Sequence, residues 1–300
     1  FSQNFLVDTP DLWSPENPAL YTARTTLSVD GREVDSYDTR FGIRKLEYIP
    51  QKGFFLNGEK TKFKGVCNHH DLGPLGAAVN RSALRHQIEL LKDMGVNSIR
   101  TAHNMPAPEL VELCDEMGVM LMIEPFDDWS FRPKSPNGYG SVFKDWAEKD
   151  ITNMVEHYRN SPSVVMWSIG NEVPSQWGPD GVEELVMLQD LVHSLDPTRP
   201  VTCGMDQIGA VLDNGFAASL DIPGFNYKPQ YYEEAYKKLP QQLVLGSETA
   251  STVSSRGVYH FPVEWGEHHV AVHPDHQSNS YDNESCSWSN TPDIDFAMDD

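Results

Sequence analysis

Apolar and polar residues alternate along the first part of the chain with the period of two that is typical of β-strands. Residues 21–29 alternate as a half-buried strand would, Asp30-Gly31 is a hairpin turn signal, and residues 33–38 begin a return strand. A complete β-sandwich needs about seven strands and about 100 residues. We therefore expect residues 1–47 to be the C-terminal part of a sandwich domain.

From residue 54 onward, short apolar runs with strand character alternate with segments of helical period. Seven strand candidates follow one another, at residues 61–66, 97–101, 119–124, 164–169, 201–204, 222–226 and 243–247. Alternating β and α units require a parallel sheet, and seven units in series favour a closed barrel over an open sheet. Residues 48–300 are therefore predicted to form an α/β domain with the (β/α)8 TIM barrel fold.

Four helices are predicted between these strands, at residues 82–94, 108–117, 182–195 and 231–239. The first has an apolar stripe that includes Leu84, Ile88 and Met94, and Gly95 follows it as a stop signal. Gly118 ends the second helix in the same way, and the other two end at prolines.

The eighth barrel strand has no clear candidate. After Glu248 the chain is rich in Ser, Asn, Asp, His and Pro, and only residues 268–273 alternate weakly. A closed barrel needs an eighth unit. We therefore expect a barrel that is incomplete at its C-terminus, in a chain that is truncated at both ends.

The charge balance excludes several classes of partner. The formal net charge is −21, from 44 acidic and 23 basic residues. Such a chain repels phosphate backbones and anionic lipid, so we expect no nucleic-acid and no membrane partner, whereas an uncharged substrate is compatible. The longest apolar runs, such as residues 119–123, are far shorter than the roughly 20 residues that cross a bilayer. We expect a soluble protein.

The beginning of the chain does not indicate a compartment. It starts at Phe1 without Met and without a signal-peptide pattern. The periplasm and the cell exterior stay open for a full-length parent, in which domains outside this chain could form a homo-oligomer.

Neither the cysteines nor the histidines have the spacing of a metal site. The four cysteines lack a CxxC pair, and buried thiols are the favoured interpretation. Five histidines fall between residues 260 and 276, without His-x-x-x-His spacing on a helix, so a solvated loop is favoured. We predict no metal and no cofactor.

Two glutamates at predicted strand ends carry the clearest chemical signal. The fourth strand leads into Gly170-Asn171-Glu172, and the seventh leads into Gly246-Ser247-Glu248. Catalytic groups of a (β/α) barrel lie at the C-terminal strand ends, where the fourth and seventh strands face each other. A lone Glu there would more often cap a helix or pair with an arginine. Two of them, each after a glycine that permits a sharp turn, favour catalysis.

Two facing carboxylates are what glycoside hydrolysis requires. One protonates the departing oxygen, while the other attacks the anomeric carbon and is later released by water. Retaining enzymes hold the two groups about 5 to 5.5 Å apart, and inverting enzymes hold them about 6.5 to 9.5 Å apart. Because the two side chains can meet over one sugar ring, we expect retention.

The sequence resembles glycoside hydrolase family 2, the family of β-galactosidases, β-glucuronidases and β-mannosidases, across essentially the whole chain. The matching segments are Leu12-Trp13-Ser14-Pro15-Glu16 with Pro18 and Tyr21, Phe41-Gly42-Ile43-Arg44, Gly65-Val66-Cys67-Asn68-His69-His70-Asp71, Asn97-Ser98-Ile99-Arg100-Thr101-Ala102-His103-Asn104, Met166-Trp167-Ser168-Ile169-Gly170-Asn171-Glu172, Gly224-Phe225-Asn226-Tyr227 and Ser247-Glu248. Each segment is weak evidence, but the ordered set is highly specific. The resemblance implies that Glu172 is the general acid/base, that Glu248 is the nucleophile, and that residues 1–47 belong to an immunoglobulin-like domain.

The resemblance also implies roles for residues near the two glutamates. His103 would reach the sugar, and Arg100 would support the site from inside the barrel, with a buried structural ion pair as an equal alternative. Asn171 would donate to the sugar 2-hydroxyl, with helix capping as the weaker alternative. Tyr227 would hydrogen-bond Glu248 and hold it ionised, with core packing as the weaker alternative.

Further substrate contacts are less sharply indicated. Asp71 and Asp127 lie near the ends of the first and third strands and could read sugar hydroxyls, although loop solvation is nearly as good an interpretation. Four tryptophans fall in presumed βα loops or after the last strand: Trp129, Trp177, Trp265 and Trp288. One or two of them could stack on the apolar face of a sugar ring.

The resemblance leaves several substrates open. Glucuronidases carry an Asn-x-Lys pair after the nucleophile, and none of Asn279, Asn283 and Asn290 has a Lys two positions later. β-Galactosides are therefore favoured, with β-glucuronides and β-mannosides as alternatives. A catalytically inactive carbohydrate-binding barrel is the alternative from another class, and the presence of both catalytic glutamates argues against it.

Overall fold

The computed structural model describes residues 3–249, and the statements below refer to these residues. They divide into two compact units. The first comprises the described part of Phe1–Asp127 together with Lys144–Ile169 and Leu188–Val201, and the second comprises Asp128–Phe143, Gly170–Met187 and the described part of Thr202–Asp300.

Twelve strands and seven α-helices are present in the described part of the chain. The strands are β1 (Tyr21–Val29), β2 (Arg32–Phe41), β3 (Leu46–Ile49), β4 (Gly53–Leu56), β5 (Glu59–Lys60), β6 (Gly65–His69), β7 (Ser98–Ala102), β8 (Met120–Ile123), β9 (Val164–Asn171), β10 (Val201–Met205), β11 (Gly224–Asn226) and β12 (Leu245–Glu248). The helices are α1 (Arg81–Asp93), α2 (Pro108–Met117), α3 (Phe143–Tyr158), α4 (Gly181–Leu195), α5 (Ile208–Asp213), α6 (Phe216–Ser219) and α7 (Tyr232–Lys238).

The strands β6 to β12 form a seven-stranded parallel sheet, and they are arranged in their order along the chain. At least one helix separates each strand from the next. This arrangement confirms the predicted barrel-type series of seven strands. Residues 268–273, the weak candidate for a further strand, lie outside the described residues.

The first barrel strand begins later than the prediction placed it. The prediction put it at residues 61–66, whereas β6 begins at Gly65. Before it, β3, β4 and β5 form a small antiparallel sheet that was not predicted. Asn57 and Gly58, with φ of 55° and 85°, make the tight hairpin between β4 and β5. The chain therefore turns back on itself before it enters the barrel.

The predicted N-terminal hairpin is present as β1 and β2, with Tyr21 opposite Phe41. Its turn residues Asp30 and Gly31 both have positive φ. The expectation that residues 21–29 are half-buried is wrong for the described residues, because apolar side chains such as Leu27 are exposed. Alternation therefore predicted the strand correctly but not its burial.

The helix predictions were correct for α2 and within two residues for α1, α4 and α7. Met94 was wrongly placed in the apolar stripe of α1, because it lies one residue beyond the helix and is 73% exposed. The helices α3, α5 and α6 were not predicted. The pattern of α3 could have been found, since Phe143, Ala147, Ile151 and Met154 are buried at helical spacing.

Residues 13–15 pack against the C-terminal end of α2 in the first unit. Trp13 is fully buried, and its indole Nε1 donates to the carbonyl of Asp115 at 2.9 Å. Gly118 ends α2 in the left-handed conformation, with φ of 70°. A Cβ at this position would lie 2.4 Å from the carbonyl oxygen of Pro15. Glycine is therefore required here both by conformation and by space.

Side chains from three segments hold the beginning of β9. Arg44 and Arg199 both donate to the carbonyl of Val164 at 2.6 Å, and Tyr48 Oη donates to the next carbonyl, that of Val165, at 2.8 Å. These are buried or half-buried contacts to backbone groups. They fix the start of the strand whose other end leads to Glu172.

The expectations about buried cysteines and membrane spans are compared here with residues 3–249. Cys114 and Cys203 are buried, as predicted, whereas Cys67 is half-buried and Cys286 lies outside the described residues. Among residues 3–249, no helix has the length and the apolar character that a membrane span needs.

Candidate active site

Glu172 lies immediately after β9, in the second unit. Its backbone has a positive φ of 46°, and its N–H donates to the carbonyl of Gly204 at 2.7 Å. Its Oε1 accepts a hydrogen bond from Asn226 Nδ2 at 2.9 Å. Burial raises the pKa of the Glu172 carboxyl, and the charges of Asp206 and Glu248 add to the rise, which the Asn226 hydrogen bond only partly opposes.

The Asn226 amide connects Glu172 to its neighbour in the chain. Asn226 Nδ2 also donates to Asn171 Oδ1 at 2.8 Å, and Ser247 Oγ donates to Asn226 Oδ1 at 2.7 Å. The hydroxyl therefore orients the amide so that its NH2 group faces the other two side chains. The alternative of helix capping is wrong for Asn171, because the next α-helix begins at Gly181.

Glu248 is the last residue of β12. Its Oε2 accepts a hydrogen bond from Tyr227 Oη at 2.6 Å, and its backbone carbonyl accepts one from the Tyr227 N–H, also at 2.6 Å. Tyr227 follows β11 directly and has a positive φ of 59°. The predicted contact between this tyrosine and Glu248 is thus present in the structure.

The glycines before the two glutamates do not make the sharp turns that the sequence suggested. Neither Gly170 nor Gly246 has a positive φ, and the left-handed residue is Glu172 itself. A Cβ on Gly170 would lie 2.8 Å from Trp129 Nε1, and one on Gly246 would lie 2.5 Å from Thr249 Oγ1 and 2.7 Å from Tyr232 Oη. Glycine at these positions leaves room for side chains that pack directly against the backbone.

Arg100 and His103 meet at a buried carboxylate in the first unit. Glu124 is fully buried, with Oε2 at 2.8 Å from Arg100 and Oε1 at 2.7 Å from His103 Nδ1. Ser168 Oγ donates to the same carboxylate at 2.6 Å. Burial pushes the pKa of Glu124 upward, but Arg100, His103 and Ser168 outweigh it and hold the pKa below its usual value. The buried ion pair that was the alternative interpretation of Arg100 is therefore present in the structure.

Asp71 and Asp127 lie at different depths in the first unit. Asp71 is exposed, and its Oδ1 accepts the backbone N–H of Gly73 at 2.6 Å, which is the local turn contact of a loop aspartate. Asp127 is half-buried four residues after β8. A contact of either residue with a sugar stays a prediction.

The tryptophan candidates separate into core and surface. Trp129 is fully buried and packs against Phe143 and Phe216, at 6.2 and 5.8 Å between ring centroids. Its interpretation as a sugar platform is therefore wrong, because neighbouring rings cover it. Trp177 is 43% exposed. Trp265 and Trp288 lie outside the described residues.

The sequence interpretation missed one polar residue beside Arg100 and His103 in the first unit and three near Glu172 in the second. They are Glu124, Asn226, Asp206 and Lys134, and each lies at or after the end of a barrel strand. Lys134 Nζ donates to the carbonyl of Asn171 at 2.7 Å. Polar residues at strand ends of a barrel were the signal from which these residues could have been found.

Within residues 3–249, no group of three or more His, Cys, Asp or Glu side chains is arranged to hold a metal ion.

Two family models match consecutive parts of the chain. The one described as Glycosyl hydrolases family 2, TIM barrel domain, matches residues 48–264, and the one described as Glycosyl hydrolases family 2 matches residues 1–44. The chain belongs to glycosyl hydrolase family 2. The resemblance stated from the sequence motifs is thereby confirmed, whereas the domain boundary at residue 47 stays a prediction.

Relatives within the family have more than one activity in their names. Beta-galactosidase BoGH2A from Bacteroides ovatus is 36% identical over 97% of this chain, and a Beta-glucuronidase from Streptococcus agalactiae is 36% identical over 67% of it. The chain spans 38% and 35% of the lengths of these two relatives. The crystal structure of a family 2 member from Bacteroides cellulosilyticus matches with a TM-score of 0.77 at 38% identity, covering 81% of this chain and 31% of that one.

Proposed function

We propose that the protein is a retaining β-glycosidase in which Glu172 is the general acid/base and Glu248 is the nucleophile. The observation that carries the proposal is the end of β11. There, the consecutive residues Asn226 and Tyr227 hydrogen-bond to Glu172 and Glu248, respectively. One short segment thus contacts both carboxylates that a double displacement needs.

In the proposed first step, Glu248 attacks the anomeric carbon while Glu172 gives its proton to the departing oxygen. The raised pKa of Glu172 supports this division of roles, because an acid must hold its proton near neutral pH. The hydrogen bond from Tyr227 favours the ionised form of Glu248, since a carboxylate accepts more strongly than a carboxylic acid. In the second step water attacks, and Glu172 takes its proton.

The substrate-binding roles extend this proposal. We assign the 2-hydroxyl contact to Asn171, whose amide is oriented by Asn226. We assign a sugar contact to His103, which Glu124 holds at 2.7 Å and which is partly exposed. Arg100 would act through Glu124 by neutralising it. Asp71 and Asp127 are proposed to contact equatorial or axial sugar hydroxyls.

The proposed substrates are terminal β-linked sugars, with β-galactosides favoured. The relative that covers 97% of this chain is named a β-galactosidase, and the Asn-x-Lys signal of glucuronidases is missing from residues 249–300. β-Glucuronides are the second candidate, because a relative at the same identity is named a β-glucuronidase. β-Mannosides and an inactive carbohydrate-binding barrel are the remaining alternatives.

A panel of p-nitrophenyl β-glycosides tests the proposal. The purified protein should release p-nitrophenol from the galactoside faster than from the glucuronide or the mannoside. Nuclear magnetic resonance of the first-formed sugar should show the β-anomer. If the protein binds sugars without cleaving any member of the panel, the inactive-barrel alternative replaces the enzyme.

A further inference from the structure

We propose that Trp177, supported by Phe131 and Arg132, is a platform on which a sugar ring of the leaving group stacks. We call these three residues the aromatic platform. The inference rests on the proposed glycosidase function and adds the chemical class of the leaving group, namely a saccharide.

The aromatic platform is a packed cluster at the surface of the second unit. The rings of Phe131 and Trp177 meet edge to face, with centroids 5.2 Å apart. The Arg132 guanidinium lies 5.0 Å from the Trp177 centroid and 5.4 Å from that of Phe131. Trp177 is nevertheless 43% exposed. Because Arg132 covers one face of the indole, we infer that the exposed area includes the opposite face.

Half-buried polar contacts tie together the two loops that carry the aromatic platform. The carboxylate of Glu184 accepts hydrogen bonds from Ser130, next to Phe131, and from Ser175, near Trp177, the latter at 2.7 Å. Ser175 is fully buried. The two loops are thus joined through one side chain, so the position of the indole is built into the fold.

The same cluster is connected to the proposed acid/base. Trp177 follows Glu172 by five residues, a span of at most about 18 Å even for an extended chain, and four of these residues form the short 3₁₀ helix Pro174–Trp177. Gln176 Nε2 donates to Asp206 Oδ1 at 2.6 Å. Asp206 in turn is close enough to Glu172 for its charge to raise the pKa of that carboxyl. Trp177 therefore lies on the acid/base side of the site.

This location determines which part of a substrate would meet the aromatic platform. A general acid protonates the oxygen between the two halves of the substrate, so the groups around it face the leaving group. An indole stacks well on the C–H face of a pyranose, and Arg132 on its other face supports the ring. An exposed aromatic face fits a pyranose better than it fits a plain alkyl group.

Substrate pairs with the same cleaved sugar test the aromatic platform. For the glycone that the panel selects, kcat/KM is measured with a β-linked disaccharide and with the methyl β-glycoside. In Trp177→Ala the ratio of the two should fall about tenfold, as expected for loss of one good stacking contact. Trp177→Phe should show a smaller fall. Thermal unfolding of each variant verifies that it is folded.

Trp146→Ala is the matched control. Trp146 is another half-exposed indole with a cation above it, since Lys149 Nζ lies 4.6 Å from its centroid, but it is on α3. This variant should leave the substrate ratio unchanged.

The aromatic platform can also be tested in the second step, through the partitioning of the glycosyl-enzyme between water and a sugar acceptor. A free sugar in the leaving-group position can compete with water for the glycosyl-enzyme. Its hydroxyl oxygen bonds to the anomeric carbon, the bond from that carbon to Glu248 breaks, and Glu172 takes the hydroxyl proton. The transfer-to-hydrolysis ratio at fixed sugar concentration should fall about tenfold in Trp177→Ala. Both products come from one intermediate, so a general loss of activity cancels.

The outcomes separate the two proposals. If the wild type cleaves none of the glycosides, the glycosidase function fails and the aromatic platform fails with it. If the wild type is active and both ratios are unchanged in Trp177→Ala, the platform alone is wrong. A larger loss for aryl glycosides than for the disaccharide would replace the sugar by an aromatic leaving group and overturn the assignment.

Discussion

Tyr227 Oη donates a 2.6 Å hydrogen bond to Glu248 Oε2. The residue before it, Asn226, bonds the other proposed catalytic carboxylate, that of Glu172. Consecutive residues of a regular strand point to opposite faces, so both could not normally serve one site. The positive φ of Tyr227, 59°, takes it out of the strand geometry at the point where β11 ends.

Removing the proposed nucleophile should abolish turnover and permit rescue. Glu248→Ala is expected to lose about 10⁴-fold or more in kcat, because no carboxylate remains to attack the anomeric carbon. Added azide should restore part of the activity with an activated aryl glycoside and yield the α-glycosyl azide. Product stereochemistry, measured by nuclear magnetic resonance, is the decisive readout, and a β-azide would contradict the assignment.

Removing the proposed general acid/base, in Glu172→Ala, is the complementary test to Glu248→Ala. It should lower the rate about 10²- to 10⁴-fold for substrates with poor leaving groups, since these need its proton, and much less for activated aryl glycosides. Equal losses for both substrate classes would remove Glu172 from the acid role.

Loss of the Tyr227 hydroxyl should weaken catalysis without unfolding the protein. A hydrogen bond to a charged group contributes about 1.5 to 3 kcal/mol, so Tyr227→Phe is expected to lower kcat/KM about 10- to 100-fold. Tyr158→Phe is the control, because it removes a buried hydroxyl that bonds the Pro106 carbonyl at 2.7 Å. The control should lower the thermal midpoint and leave kcat/KM nearly unchanged. Similar kinetics in both variants would make the Tyr227 contact purely structural.

The pH profile should report the charges around Glu172. The basic limb of kcat/KM follows loss of the acid's proton. Asp206 raises the pKa of Glu172 and Lys134 lowers it. Asp206→Asn should therefore move the basic limb to lower pH, and Lys134→Met should move it to higher pH.

Asp213→Asn supplies the reference for this pair of variants. Asp213 is exposed and pairs with Lys238 at 2.6 Å, so its substitution should leave the limb in place. Shifts of the same sign in Asp206→Asn and Lys134→Met would mean that another group sets the basic limb.

Gly118 should be far less tolerant of a methyl group than Gly53. Both have positive φ, at 70° and 91°, but only a Cβ on Gly118 would overlap a neighbour, the Pro15 carbonyl oxygen. Gly53→Ala should cost about 1 kcal/mol from backbone conformation alone. Gly118→Ala should cost roughly 2 to 4 kcal/mol, because overpacking adds to that amount. Denaturant unfolding measures the loss of unfolding free energy in both variants. Equal losses would show that residues 13–15 can move away from the new methyl group without further destabilisation.

Local patterns were enough to predict the barrel-type order and the proposed catalytic pair. The stop signal at Gly118 ended α2 at the predicted residue, and Glu172 follows one strand of the predicted series while Glu248 ends another. The beginning of the barrel was misplaced: the prediction began the strand at residue 61, directly after the β4–β5 hairpin, whereas pairing with β7 begins only at Gly65.

Contacts between distant segments were decided only by the tertiary structure. Trp129 and Trp177 were both assigned to presumed βα loops, yet one packs between phenylalanines and the other is 43% exposed. Glu124 looked like the end of an apolar strand, and its contacts with Arg100, His103 and Ser168 explain a buried carboxylate there.

The sequence by itself determined the order of strands and helices, the family, and which two carboxylates end the fourth and seventh strands. These follow from periodicity, turn residues and ordered motifs, which act over a few residues. The tertiary structure decided the direction in which the pKa of Glu172 is shifted, and it decided the partner of each polar group. Burial and charge depend on side chains that are far apart in the chain, such as Asp206 near Glu172, and only the packed fold brings them together.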